Sequence, residues 1–331
     1  MKRVFILLLI LALIQPLIPA TAYADDRPLY QGTATTNVTI RSEPDINAKR
    51  LAYYNADDTV IILSVDLEWL YVKKDNIKGY VPRRLVEVTK QFSEDDPRYG
   101  AMNVRHAATL LRDAPLYSSP STSAATLVNL PKDARVAILS IRDGWAQLLY
   151  NRQYGYLYAS HIKDLEPVSA SARDAKPGSL IAAFQTSYNT AQTDLNNGRM
   201  TNISVACQYM NGQTIDPGAS VSFNEWIGPF SLKRGFQIAP VLINGTSMPG
   251  SGGGTCQVST TLYNALLELK GISILHRRAH GPSGAAYVPH GTDAAVGSSS
   301  LDLVFRNDFD FPITMQTWAG DGVLFISIYK G

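Results

Sequence analysis

One pattern of short strands occurs twice in the first half of the chain, and a repeat of that kind fixes the architecture before any single residue is considered. In residues 28–88, Val60-Ile61-Ile62-Leu63 precedes Trp69, and Gly79-Tyr80-Val81 follows. In residues 104–166, Val136-Ala137-Ile138-Leu139 precedes Trp145, and Gly155-Tyr156-Leu157 follows, each landmark 76 residues further on. Upstream, pairing Arg41 with Arg112 places five extra residues in the loop of the second copy. Each copy alternates apolar and polar residues in short runs bounded by Ser, Asp, Asn and Gly, the signature of strands and turns. About five strands in 60 or so residues predict a small β-barrel. Trp69 and Trp145 each open an apolar strand and are expected to pack in the cores, although Trp and Tyr can also stack on sugar or peptide.

The repeat resembles the bacterial SH3-like domain. The resemblance rests on Ile40-Arg41-Ser42-Glu43-Pro44, on the Trp after a short turn, and on the Gly-Tyr-Val strand; the second copy departs with Leu111-Arg112-Asp113-Ala114-Pro115. It implies a targeting module for cell-wall polymers.

The first 24 residues have their own logic. Lys2 and Arg3 precede the apolar stretch Val4–Ile18, and Ala22-Tyr23-Ala24 is a small-x-small cleavage pattern. The expectation is a signal peptide over 1–24 and a secreted, extracellular or wall-associated protein with no stable membrane span after cleavage. The chain has 30 Lys and Arg against 28 Asp and Glu. Without Lys2 and Arg3 the two totals are equal, so the charge argument for a nucleic-acid partner fails. Residues 89–103 and 167–177 carry Ser, Asp and Pro and read as linkers.

From Gly178 to residue 331 the pattern changes to α+β. Leu180, Phe184, Tyr188 and Ala191 at helical spacing predict a helix over 180–195, broken at Asn196-Asn197-Gly198. Ile203, Ala206, Tyr209 and Met210 predict a second helix ending at Asn211-Gly212. A third is expected at 257–270 against a mostly antiparallel sheet. The whole chain thus reads as two small all-β barrels followed by an α+β domain.

The chemistry concentrates at Gly252-Gly253-Gly254-Thr255-Cys256-Gln257-Val258-Ser259-Thr260-Thr261-Leu262-Tyr263-Asn264. Cys256 falls at the start of the third helix, where unpaired N–H groups and the helix dipole favour a thiolate. His280 and Asp293 follow at distances that allow a relay in which His280 acts as base and Asp293 orients it. Gln257, or the amides of Cys256 and Gln257, would supply an oxyanion site. Gly253 and Gly254 would let a ligand approach the backbone, and Arg199 would bind a carboxylate or pair with an acid of the fold. Ser259, Thr260 and Thr261 are expected to serve the first helical turn. Cys256 can equally be a buried small residue or be disulfide-bonded to Cys207, the default for two cysteines in an exported chain. Asp293 and His280 can equally cap turns, and His276 and His290 read as surface or packing residues. No spacing matches a common zinc pattern and no phosphate-binding glycine motif is present, so no metal or cofactor is expected.

This region resembles the VanW family, named for an accessory protein of glycopeptide-resistance clusters. The resemblance runs from Phe184 to the C-terminus. It rests on Arg199, Asn202 and Ile203, on Pro217-Gly218 with Val221-Ser222-Phe223-Asn224, on the Gly-rich cysteine run, and on Arg277, His280, Tyr287-Val288-Pro289, Gly291, Asp293-Ala294, Asn307 and Pro312. Gly281, Ala295 and Cys207 depart from the family pattern. The family implies an envelope role without a settled reaction. Two functions follow: an acyltransferase or amidase acting on wall peptides through Cys256, His280 and Asp293, or a non-catalytic wall-binding or scaffolding protein.

Overall fold

The computed structural model describes residues 26–243, 246–281 and 284–331. The expected signal peptide lies outside the described residues. Among them, no helix is long and apolar enough to cross a membrane.

The first copy contains β1 (Tyr30–Ala34), β2 (Val38–Arg41), β3 (Arg50–Tyr54), β4 (Thr59–Val65), β5 (Trp69–Lys74), β6 (Ile77–Pro82) and β7 (Val86–Gln91). They form one antiparallel sheet in the order β3-β2-β6-β5-β4-β1-β7. Ile40, Ile62, Leu70, Val72 and Val81 alternate inward and make its core. The second copy contains β8 (His106–Leu110), β9 (Ala114–Tyr117), β10 (Thr126–Leu130), β11 (Arg135–Ile138), β12 (Ser140–Arg142), β13 (Trp145–Tyr150), β14 (Gln153–Tyr158) and β15 (Ile162–Pro167). Here β10-β9-β14-β13-β12 and β11-β8-β15 are separate sheets. Neither copy is a closed barrel among the described residues, in contrast to the expectation.

The offset of 76 holds for every strand start, with no inserted loop. Arg41 therefore corresponds to Tyr117, since Arg41 pairs with Tyr80 and Tyr117 with Tyr156. Arg112 is an exposed turn residue, and its likeness to Arg41 was a coincidence of local sequence. The left-handed turn residues repeat too: Asp57 with Asp133, and Asp75 with Asn151. Asp and Asn adopt that conformation at low cost. Trp69 and Trp145 are half-buried and share the outer face with Tyr71 and Tyr156, whereas Leu70, Val72, Ala146 and Leu148 point inward. The core placement expected for both tryptophans is corrected by strand parity.

The sheets of the two copies part where β4 meets β5. The strand corresponding to β4 breaks at Leu139 into β11 and β12. In the first copy Ile61 pairs with Lys73. Their counterparts Ala137 and Leu149 are joined instead through the Gln185 amide: Ala137 N–H donates to Oε1 at 2.6 Å, and Nε2 donates to Leu149 O at 3.3 Å.

Gln185 belongs to the C-terminal domain, on β16 (Leu180–Ser187). This segment is a strand, not the expected helix. Leu180 to Thr186 are all buried, and a strand covered on both faces reads as an unbroken apolar run in which helical spacing is accidental. The following helix α1 (Asp194–Met210) starts earlier than expected, with Thr193 capping the Asn196 amide. Gly198 lies within it rather than breaking it: an added Cβ would sit 2.2 Å from Ile238 O, so glycine serves close packing. Then come β17 (Thr214–Ile215), β18 (Ser220–Ser222), α2 (Phe223–Ile227), β19 (Ile238–Ile243), β20 (Thr246–Ser251), α3 (Thr255–Leu267), β21 (Ile272–His276), β22 (Val304–Asn307), β23 (Ile313–Gly320) and β24 (Val323–Lys330). The sheet β16-β24-β23-β17 backs α1 and α3, with β18-β22-β21 and the hairpin β19-β20 around them. Tyr287 and Val288 lie in a turn and bend outside any strand.

The expected linkers are docked. Arg98 donates to Lys270 O at 3.0 Å, and the Met102 and Asn103 amides donate to the Glu268 carboxylate at 2.7 and 3.1 Å. Tyr154 of the second copy donates to Asp66 of the first at 2.8 Å.

Candidate functional site

Helix α3 buries Val258, Leu262, Ala265 and Leu266 completely, the apolar stripe legible in the sequence. Gly254 precedes it at φ 108°, a left-handed conformation, and Cys256 is the second helical residue. Its side chain is half-buried, with Sγ 3.4 Å from Val296 O and 3.5 Å from Val296 N. Cys207 lies buried on α1, and both cysteines are free thiols. Burial pushes the Cys207 thiol up to about 12.

The segment after β21 returns along the first turns of α3 and is pinned there by side chains. Ser259 Oγ donates to Ala294 O at 2.7 Å, and Ala294 N–H donates to Thr260 Oγ1 at 3.0 Å. Asn264 Nδ2 bridges Thr260 O and Thr292 O at 2.8 and 2.7 Å. Ser259 and Thr260 thus tie the helix to residues 292–296, beyond the capping expected of them. Thr261 bonds to Thr186 of β16 at 2.8 Å.

That pinning puts Asp293 beneath His280. One carboxylate oxygen, Oδ2, accepts from His280 N–H at 2.6 Å and lies 2.7 Å from His280 Nδ1. With Nδ1 so engaged, Nε2 is the ring nitrogen left for the neighbouring Cys256. Burial disfavours the imidazolium, but hydrogen bonds to Asp293 and Cys256 and the charges of both outweigh it and push His280 up to about 9. At neutral pH the ring is therefore protonated. Asp293 is 1% exposed. Burial alone would raise it, yet the two His280 bonds and the charges of Arg277 and His280 hold it below the usual carboxylate range.

Two further residues carry the site that residue-by-residue chemistry did not assign. Arg277 Nε donates to Asp293 O at 2.6 Å and Nη2 to Gly291 O at 2.8 Å, fixing the strand end against the carboxylate loop. Tyr287 is hydrogen-bonded to Thr260 and faces Cys256 and Arg199; burial first, then the Cys256 charge, raises its hydroxyl, so it stays a donor. An arginine at a strand end and a tyrosine in a polar loop between His280 and Asp293 were the signals available.

The structure gives the other predicted binding residues packing tasks. An added Cβ at Gly253 would lie 2.3 Å from Pro240 O, and at Gly254 3.0 Å from Arg199 O, so both glycines admit protein rather than ligand. Gln257 is 1% exposed; its Nε2 donates to Thr186 Oγ1 and Ser187 O at 2.9 Å each, and its Oε1 accepts from Arg199. Its amide N–H donates to Gly254 O at 2.9 Å. Gln257 is thus committed to the fold and unavailable to an oxyanion. Among the described residues no acceptor takes the Cys256 amide N–H. Arg199 pairs with the Gln257 amide, not with an acid.

Residues 198–329 match the family described as VanW like protein. The chain carries a VanW-like domain. It is 30% identical over 190 residues to the uncharacterized protein YoaR of Bacillus subtilis, covering 56% of this chain and 62% of that protein. It is 29% identical over 124 residues to the vancomycin B-type resistance protein VanW of Enterococcus faecalis, covering 36% of this chain and 44% of the relative. The matched stretch thus spans less than two thirds of either relative. Solved structures that align with the chain include NlpC2 from Trichomonas vaginalis (16% identity, 56% of this chain and 58% of that one) and an NlpC/P60 family protein from Bacillus cereus (11%, 89% and 93%), both at a TM-score of 0.18, which carries no inference. The VanW-like domain contains every element of the Cys256 site, while its walls at residues 284–292 also meet the N-terminal copies.

Proposed function

We propose that the VanW-like domain is a cysteine acyltransferase or amidase acting on cell-wall peptides. The observation that carries this reading is the His280 imidazole bound through Nδ1 to the buried Asp293 carboxylate at 2.7 Å, with Cys256 at the N-terminus of α3. The Cys256 thiolate attacks a peptide carbonyl carbon, and the carbonyl oxygen takes up negative charge facing the Cys256 amide and the Tyr287 hydroxyl. The tetrahedral intermediate collapses, the C–N bond breaks, and His280 gives its proton to the departing amine. Water or a second amine then attacks the thioester, His280 takes the proton, and the thiolate leaves. The partner is a wall polymer or peptide, and the two N-terminal copies are wall-targeting SH3-like modules. The charged, apolar and small-residue pattern of residues 1–24 supports export to that compartment, and the resistance-protein relative supports an envelope setting.

The test has two stages. At pH 7 without reductant, iodoacetamide should modify Cys256 of the folded protein, leave buried Cys207 untouched, and react far more slowly with His280→Ala. Wall-derived peptides should then be cleaved or transferred by wild type, not by Cys256→Ala, and about 100-fold more slowly by His280→Ala. Modification of Cys256 only after unfolding would sink the enzyme and leave a wall-binding or scaffolding domain.

A further inference from the structure

Residues 284–292 carry Tyr287 and lead into Asp293, yet they contain no helix or strand. Their internal backbone bonds are few: Val288 N–H to Ala285 O at 3.5 Å and Thr292 N–H to Pro289 O at 3.2 Å. The segment is held from outside. Arg152, in the β13–β14 turn of the second copy, donates from Nε to Val288 O at 3.1 Å and from Nη2 to Ala285 O at 3.0 Å. These two carbonyls flank Tyr287. An added Cβ at Gly284 would lie 3.4 Å from both Arg152 Nη2 and Asp293 Oδ1, so the guanidinium and the relay carboxylate meet across that glycine. Glu68, in the β4–β5 turn of the first copy, has Oε2 3.2 Å from His290 Nδ1 and Oε1 3.8 Å from Arg152 Nε.

The repeat makes these two residues informative. The position equivalent to Arg152 in the first copy is Asn76, and that equivalent to Glu68 in the second is Gly144. Each copy has placed one charge in a different turn, and both charges converge on the same segment of the VanW-like domain.

We infer that Arg152 and Glu68 are positioning residues: they clamp the 284–292 segment so that Asp293 stays under His280, and both N-terminal copies are thereby structural parts of the Cys256 site. The catalytic meaning of the clamp rests on the function proposed above, but its geometry does not. The test uses the full chain after residue 24, with histidine rings labelled for NMR and His280 assigned with His280→Gln. In wild type the His280 ring should titrate near 9. In Arg152→Ala it should fall by about one pH unit as Asp293 loosens, with part of the shift restored in Arg152→Lys. Glu68→Gln, a milder change, should move it the same way by less, with circular dichroism unchanged. Identical His280 titrations in wild type, Arg152→Ala and the combined Arg152→Ala, Glu68→Gln variant would overturn the clamp. A high wild-type His280 midpoint that falls in Arg152→Ala, combined with an unreactive Cys256, would defeat the proposed enzyme and leave the clamp standing.

Discussion

The two N-terminal copies share their strand order and the left-handed turns at Asp57 and Asp133 and at Asp75 and Asn151, and their ladders part where β4 meets β5. In the first copy Ile61 and Lys73 pair directly, and β4 runs unbroken. In the second, the strand breaks and a glutamine from another domain occupies the gap between Ala137 and Leu149. A side-chain amide offers one donor and one acceptor, as a peptide unit does, so both backbone groups stay satisfied. A repeat can thus become an interface by giving up a stretch of one ladder while keeping its strand order. It also explains why the second copy forms two sheets where the first forms one.

The sharpest way to break this comparison is Gln185→Leu, which keeps the volume and strands two buried backbone groups. A loss of about 3 kcal/mol in unfolding free energy is expected, measured by denaturant titration. A smaller effect is expected at the 89–103 linker, whose Met102 and Asn103 amides donate to Glu268. Burial of the Glu268 carboxyl raises it to about 7, against the lowering by the Met102, Asn103 and Val104 amides. A group raised in the folded state stabilises fully below its unfolded value, here 4.5, and loses that contribution as pH rises through about 7. The wild-type thermal midpoint should therefore decline between those pH values relative to Glu268→Gln. The His280 contribution has the same sign in a different window, present below 6.5 and lost through about 9, and comparison with His280→Gln isolates it. The smallest difference concerns the outer faces. Trp145 stacks on Tyr158 with ring centroids 4.2 Å apart, while Trp69 meets Pro82 across its ladder. Trp145→Ala should cost about 0.5–1.5 kcal/mol more than Trp69→Ala, since the aromatic pair is lost on top of the buried area.

Much of the site was legible because local rules produced it. A glycine run before an apolar stripe marked the helix start, and Cys256 stands there. The order of Cys256, His280 and Asp293 allowed a relay, and the fold sets His280 Nδ1 2.7 Å from Asp293 Oδ2. What stayed hidden depends on contacts between distant segments. Gln257 looked like an oxyanion donor because its bond to Thr186, 71 residues away, leaves no local trace. The 180–187 strand looked helical because a segment buried on both faces carries no alternation. The linkers looked free because their partners, the Lys270 carbonyl and the Glu268 carboxylate, lie in another domain.

Gly198 on α1 and Gly253 in the turn before α3 flank β19, each with a carbonyl where a β-carbon would go. Neither adopts a positive φ, so alanine would fit the backbone at both and fail only on contact. In mutational terms these are positions with no neutral neighbour. A substitution at either must displace the hairpin, and a single compensating change elsewhere cannot restore the space. A saturation screen would therefore read both positions as gaps that glycine alone fills.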